Sequence, residues 1–312
     1  MKETQLAAQI ITEVKKAVVG KDDVLIKVLL AILARGHILL EDIPGVGKTT
    51  MALAFSRALG LTYSRVQFTP DVMPSDLTGY SLYNKATGQM EYQPGALLCN
   101  LFLADELNRA TSRTQSALLE AMEEGQVTVD GVSHAIPDLF LVIATQNPTG
   151  ASGTQLLPDS QLDRFALRLS IGYPSAGDEL ELLRRKQQGN PLEKVEQVAD
   201  LRQLARLRDL VDSIYISEDV LSYIIALVRA TREHPQLAQG ASPRAAIAVA
   251  ALSRATAFLR GRDYVIPEDA AYIWTDAIAH RLLLPGGAVG GTARALQIAA
   301  DLLDAVPAPR LR

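Results

Sequence analysis

Pro44-Gly45-Val46-Gly47-Lys48-Thr49 is the stretch that decides the fold of this chain. It follows the apolar run Ile38-Leu39-Leu40 and precedes a predicted helix from Thr50 to Leu59. A strand, a glycine-containing loop, Lys-Thr and a helix form a layout that binds a nucleoside triphosphate, because glycines let backbone N–H groups approach the phosphates. The N-terminus of the following helix adds partial positive charge and free N–H donors. The cofactor-binding residues predicted on this loop are Pro44, Gly45, Val46, Gly47, Lys48, Thr49 and Thr50.

The loop also predicts how the metal and the phosphates are held. Lys48 would reach the β- and γ-phosphates, and the Thr49 hydroxyl would ligate Mg²⁺. Asp42 stands where the usual pattern has its first glycine, so that Glu41 and Asp42 place two acids just before a polyphosphate site. That charge is unexpected, and the alternative interpretation is a simple Gly/Pro turn between a strand and a helix.

A second motif favours nucleotide binding over the turn. Leu101-Phe102-Leu103-Ala104 is a continuous apolar run, typical of a strand buried on both faces of a parallel sheet, and Asp105-Glu106 follows it. Ligands of open α/β sheets bind at the carboxyl ends of the strands. Asp105 is therefore predicted to hold Mg²⁺, and Glu106 to orient and deprotonate the attacking water. The alternative is a solvated strand end capped by two acids.

The chain resembles the AAA+ ATPases, and more narrowly the MoxR family. The resemblance rests on matched stretches in family order along nearly the whole chain: 41–49, 104–110, 115–122, Ala144-Thr145-Gln146-Asn147-Pro148, Gln161-Leu162-Asp163-Arg164-Phe165 and Gly240-Ala241-Ser242-Pro243-Arg244-Ala245. MoxR-like loops often lack the first glycine, so Asp42 fits this family. The resemblance implies an α/β fold in which helices sandwich a parallel P-loop NTPase sheet, followed by an all-α lid domain.

The resemblance also assigns catalytic roles to three further residues. Asn147 would be sensor 1, which positions the water, although Asn-Pro could simply begin a turn. Arg164 would be an arginine finger given to the neighbouring subunit's nucleotide, rather than one half of a surface ion pair. Arg244 would be sensor 2, a lid residue that touches the triphosphate, rather than a solvated arginine. Its place in a helix's first turn opposes the helix dipole, which suggests that an anion elsewhere stabilises it.

Composition narrows the possible partners. The chain has 312 residues and a formal net charge of −4, and it has no long basic run, so strong duplex DNA binding is not expected. Cys99 is the only cysteine, which excludes an intramolecular disulfide and predicts a small buried side chain. The first residues carry no apolar signal region, and no apolar run is long enough to span a bilayer. We therefore expect a cytoplasmic protein without direct membrane insertion.

The periodicity divides the chain. Strands alternate with helices over 1–175, which forms the predicted nucleotide-binding domain, and only helical periodicity follows over 196–312, the predicted lid domain. The segment 176–195 is the predicted linker, although 178–188 within it is helical in character. Two β-hairpins interrupt the first domain near 77–94 and 126–136, the second marked by Asp130-Gly131.

These observations predict an ATP-hydrolysing ring protein, most simply a homohexamer, that uses ATP and Mg²⁺. The MoxR resemblance implies a chaperone that remodels a protein client, with a partner bearing a von Willebrand factor A domain. Two alternatives stay open: a metal-chelatase-type motor subunit, and a nucleotide-gated scaffold or DNA-remodelling ring. The water-activating Glu106 disfavours a passive scaffold, and the acidic balance disfavours a DNA ring. Arg109 and Arg113 could each be an inter-subunit contact or a solvated residue.

Overall fold

The computed structural model describes residues 2–43, 45–146, 157–287 and 291–310. Strands and helices alternate in its first part, as the periodicity predicts. In chain order the elements of this part are α1 (Lys2–Ala17), α2 (Asp22–Leu33), β1 (His37–Glu41), α3 (Lys48–Ala58), β2 (Tyr63–Gln67), α4 (Pro74–Thr78), β3 (Gly79–Asn84), β4 (Gln89–Pro94), β5 (Leu101–Asp105), α5 (Ser112–Glu124), β6 (Gln126–Val129), β7 (Val132–Ala135), β8 (Leu141–Gln146), α6 (Asp159–Leu162) and β9 (Phe165–Leu169).

Helices, short 3₁₀ turns and two isolated β-bridges follow β9 among the described residues, which form no further strand there. These helices are α7 (Ala176–Gln187), α8 (Leu201–Asp212), α9 (Glu218–Glu233), α10 (Pro243–Leu259), α11 (Pro267–Ile278) and α12 (Gly291–Ala305). Among these residues, no helix combines the length and apolarity needed to cross a bilayer. The α/β fold followed by a helical region is therefore confirmed, while the exact limits of the two domains stay a prediction.

Five parallel strands form the central sheet in the order β2-β5-β8-β1-β9. Their side chains alternate between two apolar layers, as strand geometry requires. Ile38, Leu103 and Ile143 lie in the layer that continues into α1, α2, α3 and the C-terminal helices. Phe102 and Val142 lie in the other layer, which packs against α5. Helices thus cover both faces of the sheet, and all the strands end at one edge, where a ligand can bind.

The two predicted hairpins are confirmed and lie against each other. β3 pairs with β4 and β6 pairs with β7, both antiparallel, and Asp130 and Gly131 take positive φ values of 51° and 78° in the second turn. The ring of Tyr92 stacks on the ring of His134 with a centroid distance of 3.6 Å, and the Tyr92 hydroxyl donates a hydrogen bond to the Thr78 carbonyl. The stacking of Tyr92 in β4 on His134 in β7 joins the two hairpins.

Candidate functional site

The phosphate loop connects β1 to α3, as the sequence predicts. Gly45 and Gly47 have φ values of 87° and 97°, which L side chains rarely adopt, and apart from their immediate neighbours in the chain no described atom lies within 4 Å of where either Cβ would be. No side chain caps the N-terminus of α3, so its first N–H groups can reach a ligand. The loop therefore leaves open space in front of free backbone donors. Pro44 lies outside the described residues.

Lys48 begins α3, at the edge of the sheet where the parallel strands end. It is buried, and its Nζ donates a 2.7 Å hydrogen bond to the backbone carbonyl oxygen of Asp42. Burial lowers the pKa of the ammonium group, and the carboxylates of Asp42, Asp105 and Glu106 partly offset that effect. A partly desolvated cation among acids fits a site that receives a polyanion and a divalent cation together.

The Asp42 side chain binds the segment 170–172, which follows β9. One of its oxygens accepts hydrogen bonds from Ser170 Oγ and the Gly172 N–H, both at 3.0 Å, and the other accepts from the Ile171 N–H at 2.5 Å. Asp42 therefore binds the segment that leaves β9, which explains an acid where a glycine is usual. Glu41, the other acid before the loop, lies 3.3 Å from Arg168 of β9.

Asp105 ends β5 and Glu106 follows it, at the same edge of the sheet as the phosphate loop. Thr145 of the neighbouring strand β8 donates from Oγ1 to Asp105 Oδ1 at 2.7 Å and accepts from the Glu106 N–H at 2.9 Å. The other Asp105 oxygen lies 2.7 Å from Arg65 Nη2. The first of these partners could have been found, since two parallel neighbouring strands bring residues just after Ala104 and Ala144 together. The contact with Arg65 could not have been found in this way, because no pattern in the sequence indicates that β2 pairs with β5.

Glu106 has an unusual backbone and a cationic neighbour. Its φ and ψ values are 56° and 46°, the left-handed region, which turns the chain sharply at the end of the strand. Its carboxylate lies 2.9 Å from Arg109 Nη1. Arg109 therefore has a partner within its own subunit, whereas Arg113 is exposed.

A cavity of about 200 Å³ lies beside the phosphate loop. The loop after α1, with Val19 and Lys21, forms one wall, and Pro174 and Leu182 form another. Lys21 Nζ donates to the Tyr173 carbonyl at 2.8 Å, which joins these walls. β8 pairs with β5, and Asn147, the predicted sensor 1 that follows β8 in the sequence, lies outside the described residues.

Arg164 lies at the opposite edge of the sheet. It precedes β9, whose first residue pairs with His37 at the start of β1, while the phosphate loop follows the end of β1. Four strand residues separate the two edges, which is roughly 13 Å. Arg164 therefore cannot reach the phosphate loop of its own subunit. Its Nη2 lies 2.7 Å from Glu123 Oε2 at the end of α5.

Arg244 joins the same cluster from α10. Its guanidinium contacts the other oxygen of Glu123, and it lies 3.9 Å from Asp163. Ser242 and Arg281 also bind the Asp163 carboxylate, at 2.8 and 2.9 Å. The two arginines hold the pKa of Glu123 below its usual value, chiefly through the hydrogen bond from Arg164. Two arginines from different parts of the fold are thus placed side by side on one carboxylate.

Comparisons with known proteins agree with this geometry. Residues 37–167 match the ATPase family associated with various cellular activities (AAA), and residues 229–296 match the AAA lid domain. The chain is 40% identical to Chaperone MoxR1 of Mycobacterium tuberculosis over 88% of its own length and 74% of that protein. It is 34% identical to Protein MoxR of Methylorubrum extorquens, covering 97% of this chain and 95% of that one.

A crystal structure from Cytophaga hutchinsonii, of a protein assigned as an ATPase, superposes with a TM-score of 0.90 at 36% identity, covering 99% of this chain and 96% of that one. The resemblance inferred from the sequence motifs is therefore confirmed at the level of both sequence and fold. The chain belongs to the MoxR family of AAA+ ATPases.

Proposed function

We propose that this protein hydrolyses ATP with Glu106 as the base that activates water. The observation that carries the proposal is the meeting of Lys48 with Asp105 and Glu106 at the carboxyl edge of the sheet, beside a loop of open backbone donors. Family membership supports ATP hydrolysis in general. A buried cation for the phosphates and a carboxylate for the water are the two groups that this reaction needs at separate positions.

The same residues fit Mg²⁺. Thr49 at the start of α3 and Asp105 at the end of β5 supply a hydroxyl and a carboxylate, which are the oxygen ligands that Mg²⁺ prefers beside substrate phosphates. When bound, the ion would neutralise charge on the phosphates. Thr145 and Arg65 hold the two oxygens of Asp105, and so they orient the carboxylate toward this task.

We further propose a ring in which each subunit completes its neighbour's site. Arg164 and Arg244 lie together at the edge of the sheet that is remote from their own phosphate loop. A planar, permanently charged fork suits the charge on a transferring phosphoryl group. Both arginines would leave Glu123 for the neighbour's γ-phosphate, so the contact of Arg244 with a triphosphate is proposed across the interface.

The free energy of ATP hydrolysis would be used to remodel a protein client. The relative named a chaperone supports this class of activity. The exposed side chains Tyr80, Leu82, Tyr83 and Met90 of the first hairpin support a surface for polypeptide. A von Willebrand factor A domain protein is the proposed partner, and a homohexamer the proposed ring. Activity toward a metal-free porphyrin or toward DNA, in place of a protein client, would favour the chelatase or DNA-ring alternatives.

The test separates binding from turnover. Lys48→Ala should abolish ATP binding, because it removes the cation that faces the phosphates. Glu106→Gln should keep nucleotide affinity and lower phosphate release by a factor of about 100 or more, because the amide cannot accept the proton from water. Nucleotide affinity and phosphate release are measured for both.

Lys186→Ala and Glu196→Gln are matched controls, because they make the same chemical changes at exposed positions. Both should behave like the unmodified protein. Turnover near the unmodified rate in Glu106→Gln would refute the assignment of the base.

A further inference from the structure

The Asp42 carboxylate forms a clamp between the phosphate loop and the segment 170–172, which leaves β9. Three donors of that segment converge on its two oxygens, and the residue is only 5% exposed. A buried carboxylate is retained only where donors compensate its lost hydration, and here backbone N–H groups supply two of the three bonds. The clamp is therefore a specific, fully partnered connection.

The same residue also touches the catalytic cation. While its side chain holds the end of β9, its backbone carbonyl accepts the hydrogen bond from Lys48 Nζ. The clamped segment continues to Pro174, which lines the cavity beside the loop. A displacement of the end of β9 would therefore reach both the phosphate-binding lysine and the wall of the nucleotide pocket.

The other end of β9 begins directly after Arg164. Among the strands that the structure describes, β9 lies at the edge of the sheet and pairs with β1 alone. It is five residues long, roughly 16 Å, so it runs from the amino edge of the sheet to the carboxyl edge. β9 thus connects Arg164, which is proposed to act on the neighbouring subunit, to the clamp at its own phosphate loop.

We propose that Asp42 is a positioning residue that transmits the state of the neighbour's nucleotide, contacted by Arg164, along β9 to the subunit's own phosphate loop. This inference rests on the proposed role of Arg164 across the interface. The inference explains why Asp42 occupies the position where the loop usually has a glycine: its carboxylate connects two nucleotide sites.

A double-mutant cycle tests the connection. Asp42→Gly restores the usual glycine of the loop, yet it should lower turnover at least about tenfold while nucleotide affinity stays within about threefold. Arg164→Lys keeps the charge and should also lower turnover. If both residues act through one connection, the double variant should be no more than about twofold slower than the slower single variant. If Asp42 only shapes the loop, the losses of turnover caused by the two single substitutions should multiply in the double variant.

Further variants keep the test decisive. Ser170→Ala removes one of the three bonds and should cost less than Asp42→Gly. If Asp42→Gly fails to fold, Asp42→Asn replaces it in the cycle. The asparagine amide keeps one acceptor oxygen, but its NH₂ group faces a donor of the segment 170–172 and cannot accept a hydrogen bond from it. Suppose that Arg164→Lys lowers turnover. The inference would then be overturned if the effects of the two substitutions multiply in the double variant, or if Asp42→Gly leaves turnover unchanged. No effect of Arg164→Lys would overturn the proposed interface itself, and the inference with it.

Discussion

At the residue scale, the acids of this molecule have clearly divided tasks. Asp42 binds the exit of β9, Asp105 is held by Thr145 and Arg65, and Glu106 lies against Arg109. Glu123 holds two arginines at the far edge of the sheet. A carboxylate that already has firm donors keeps its orientation when the ligand arrives, so each acid is prepared for a single task.

A half-buried histidine, His37, should make the protein sensitive to acid. His37 accepts a hydrogen bond from the Val142 N–H on Nδ1 at 3.0 Å, and its Nε2 lies 3.3 Å from the Met122 carbonyl, which together fix a neutral ring. Desolvation lowers the pKa of His37 to about 4, against 6.5 for a free histidine. The unfolded chain binds the proton first, so the free energy of unfolding should fall as the pH drops from 6.5 to 4.

The contribution of His37 to that fall is at most about 3 kcal/mol. His37→Leu should be less stable at pH 8, because Val142 loses its acceptor, but its stability should decline less steeply in the acid range. Denaturant unfolding at a series of pH values measures both. An unchanged slope would show that other groups cause the acid sensitivity.

The sequence predicted the residue types of the site better than their contacts. Lys48, Asp105 and Glu106 lie near one another, because one motif places Lys48 at the start of α3 and the other places the two acids at the end of β5. The partners of Asp42 were missed, because Ser170–Gly172 comes roughly 130 residues later and only the β1–β9 pairing brings it near. Local patterns cannot report such a contact.

At the element scale, the first hairpin has apolar side chains exposed on both faces. Tyr83 and Met90 pair on one face, while Tyr80 and Leu82 lie on the other, and all four are more than half exposed. Tyr92 differs, because it packs on His134. The hypothesis that the tyrosines form a contact surface therefore applies to Tyr80 and Tyr83, and the alternative of internal packing holds for Tyr92.

Shortening the tip between Leu82 and Met90 should leave ring assembly and basal ATP hydrolysis mostly intact, because no tip residue lines the cavity beside the phosphate loop. It should remove client capture. The measurement compares proteins that co-purify with Glu106→Gln, in its full-length and shortened forms, from the native host. A control with Tyr80, Leu82, Tyr83 and Met90 changed to serine keeps the hairpin length and should also lose capture. A shortened variant that assembles and still captures and activates its client would contradict the hypothesis.

The sequence predicts helix starts at Ser242-Pro243 and Ile266-Pro267, a helix end at Gly125, and a helix that runs from Pro267 to Leu283. The boundaries that a proline or a glycine marks are close to the observed ones. Ser242-Pro243 and Ile266-Pro267 begin α10 and α11 as expected, and Gly125 ends α5 with a φ of 63°. The predicted end of α11 was wrong: the pattern suggested Leu283, whereas the helix ends at Ile278 and a 3₁₀ turn follows. Arg281 in that turn binds Asp163 and the Phe165 carbonyl, so tertiary contacts override the helical periodicity there.

At the scale of the whole molecule, the sheet separates two halves of one proposed catalytic unit. The phosphate loop lies at the carboxyl edge of the strands, and Arg164 and Arg244 lie at the amino edge. A head-to-tail arrangement of identical subunits brings such opposite edges together at every interface and closes into a ring when the rotation permits.

Mixing inactive subunits tests this arrangement. Arg164→Ala subunits keep an intact pocket, and Lys48→Ala subunits keep an intact arginine, so mixed rings should recover ATP hydrolysis. Random one-to-one mixing pairs the intact halves at roughly a quarter of the interfaces, which sets the expected level.

The control mixes Arg164→Ala with an Arg164→Ala/Lys48→Ala double variant, which supplies no arginine and should recover nothing. Absence of recovery in the first mixture, with co-assembly demonstrated, would count against action across the interface.

The left-handed backbone at Glu106 has a consequence for how this protein can change over time. A glycine would occupy that position without strain, while a side chain there costs on the order of 1 kcal/mol. The easiest substitution for stability at this position is therefore also the one that removes the proposed base. Selection for robustness and selection for turnover act in opposite directions on a single residue, and a variant line kept only for its fold would be expected to drift toward glycine there.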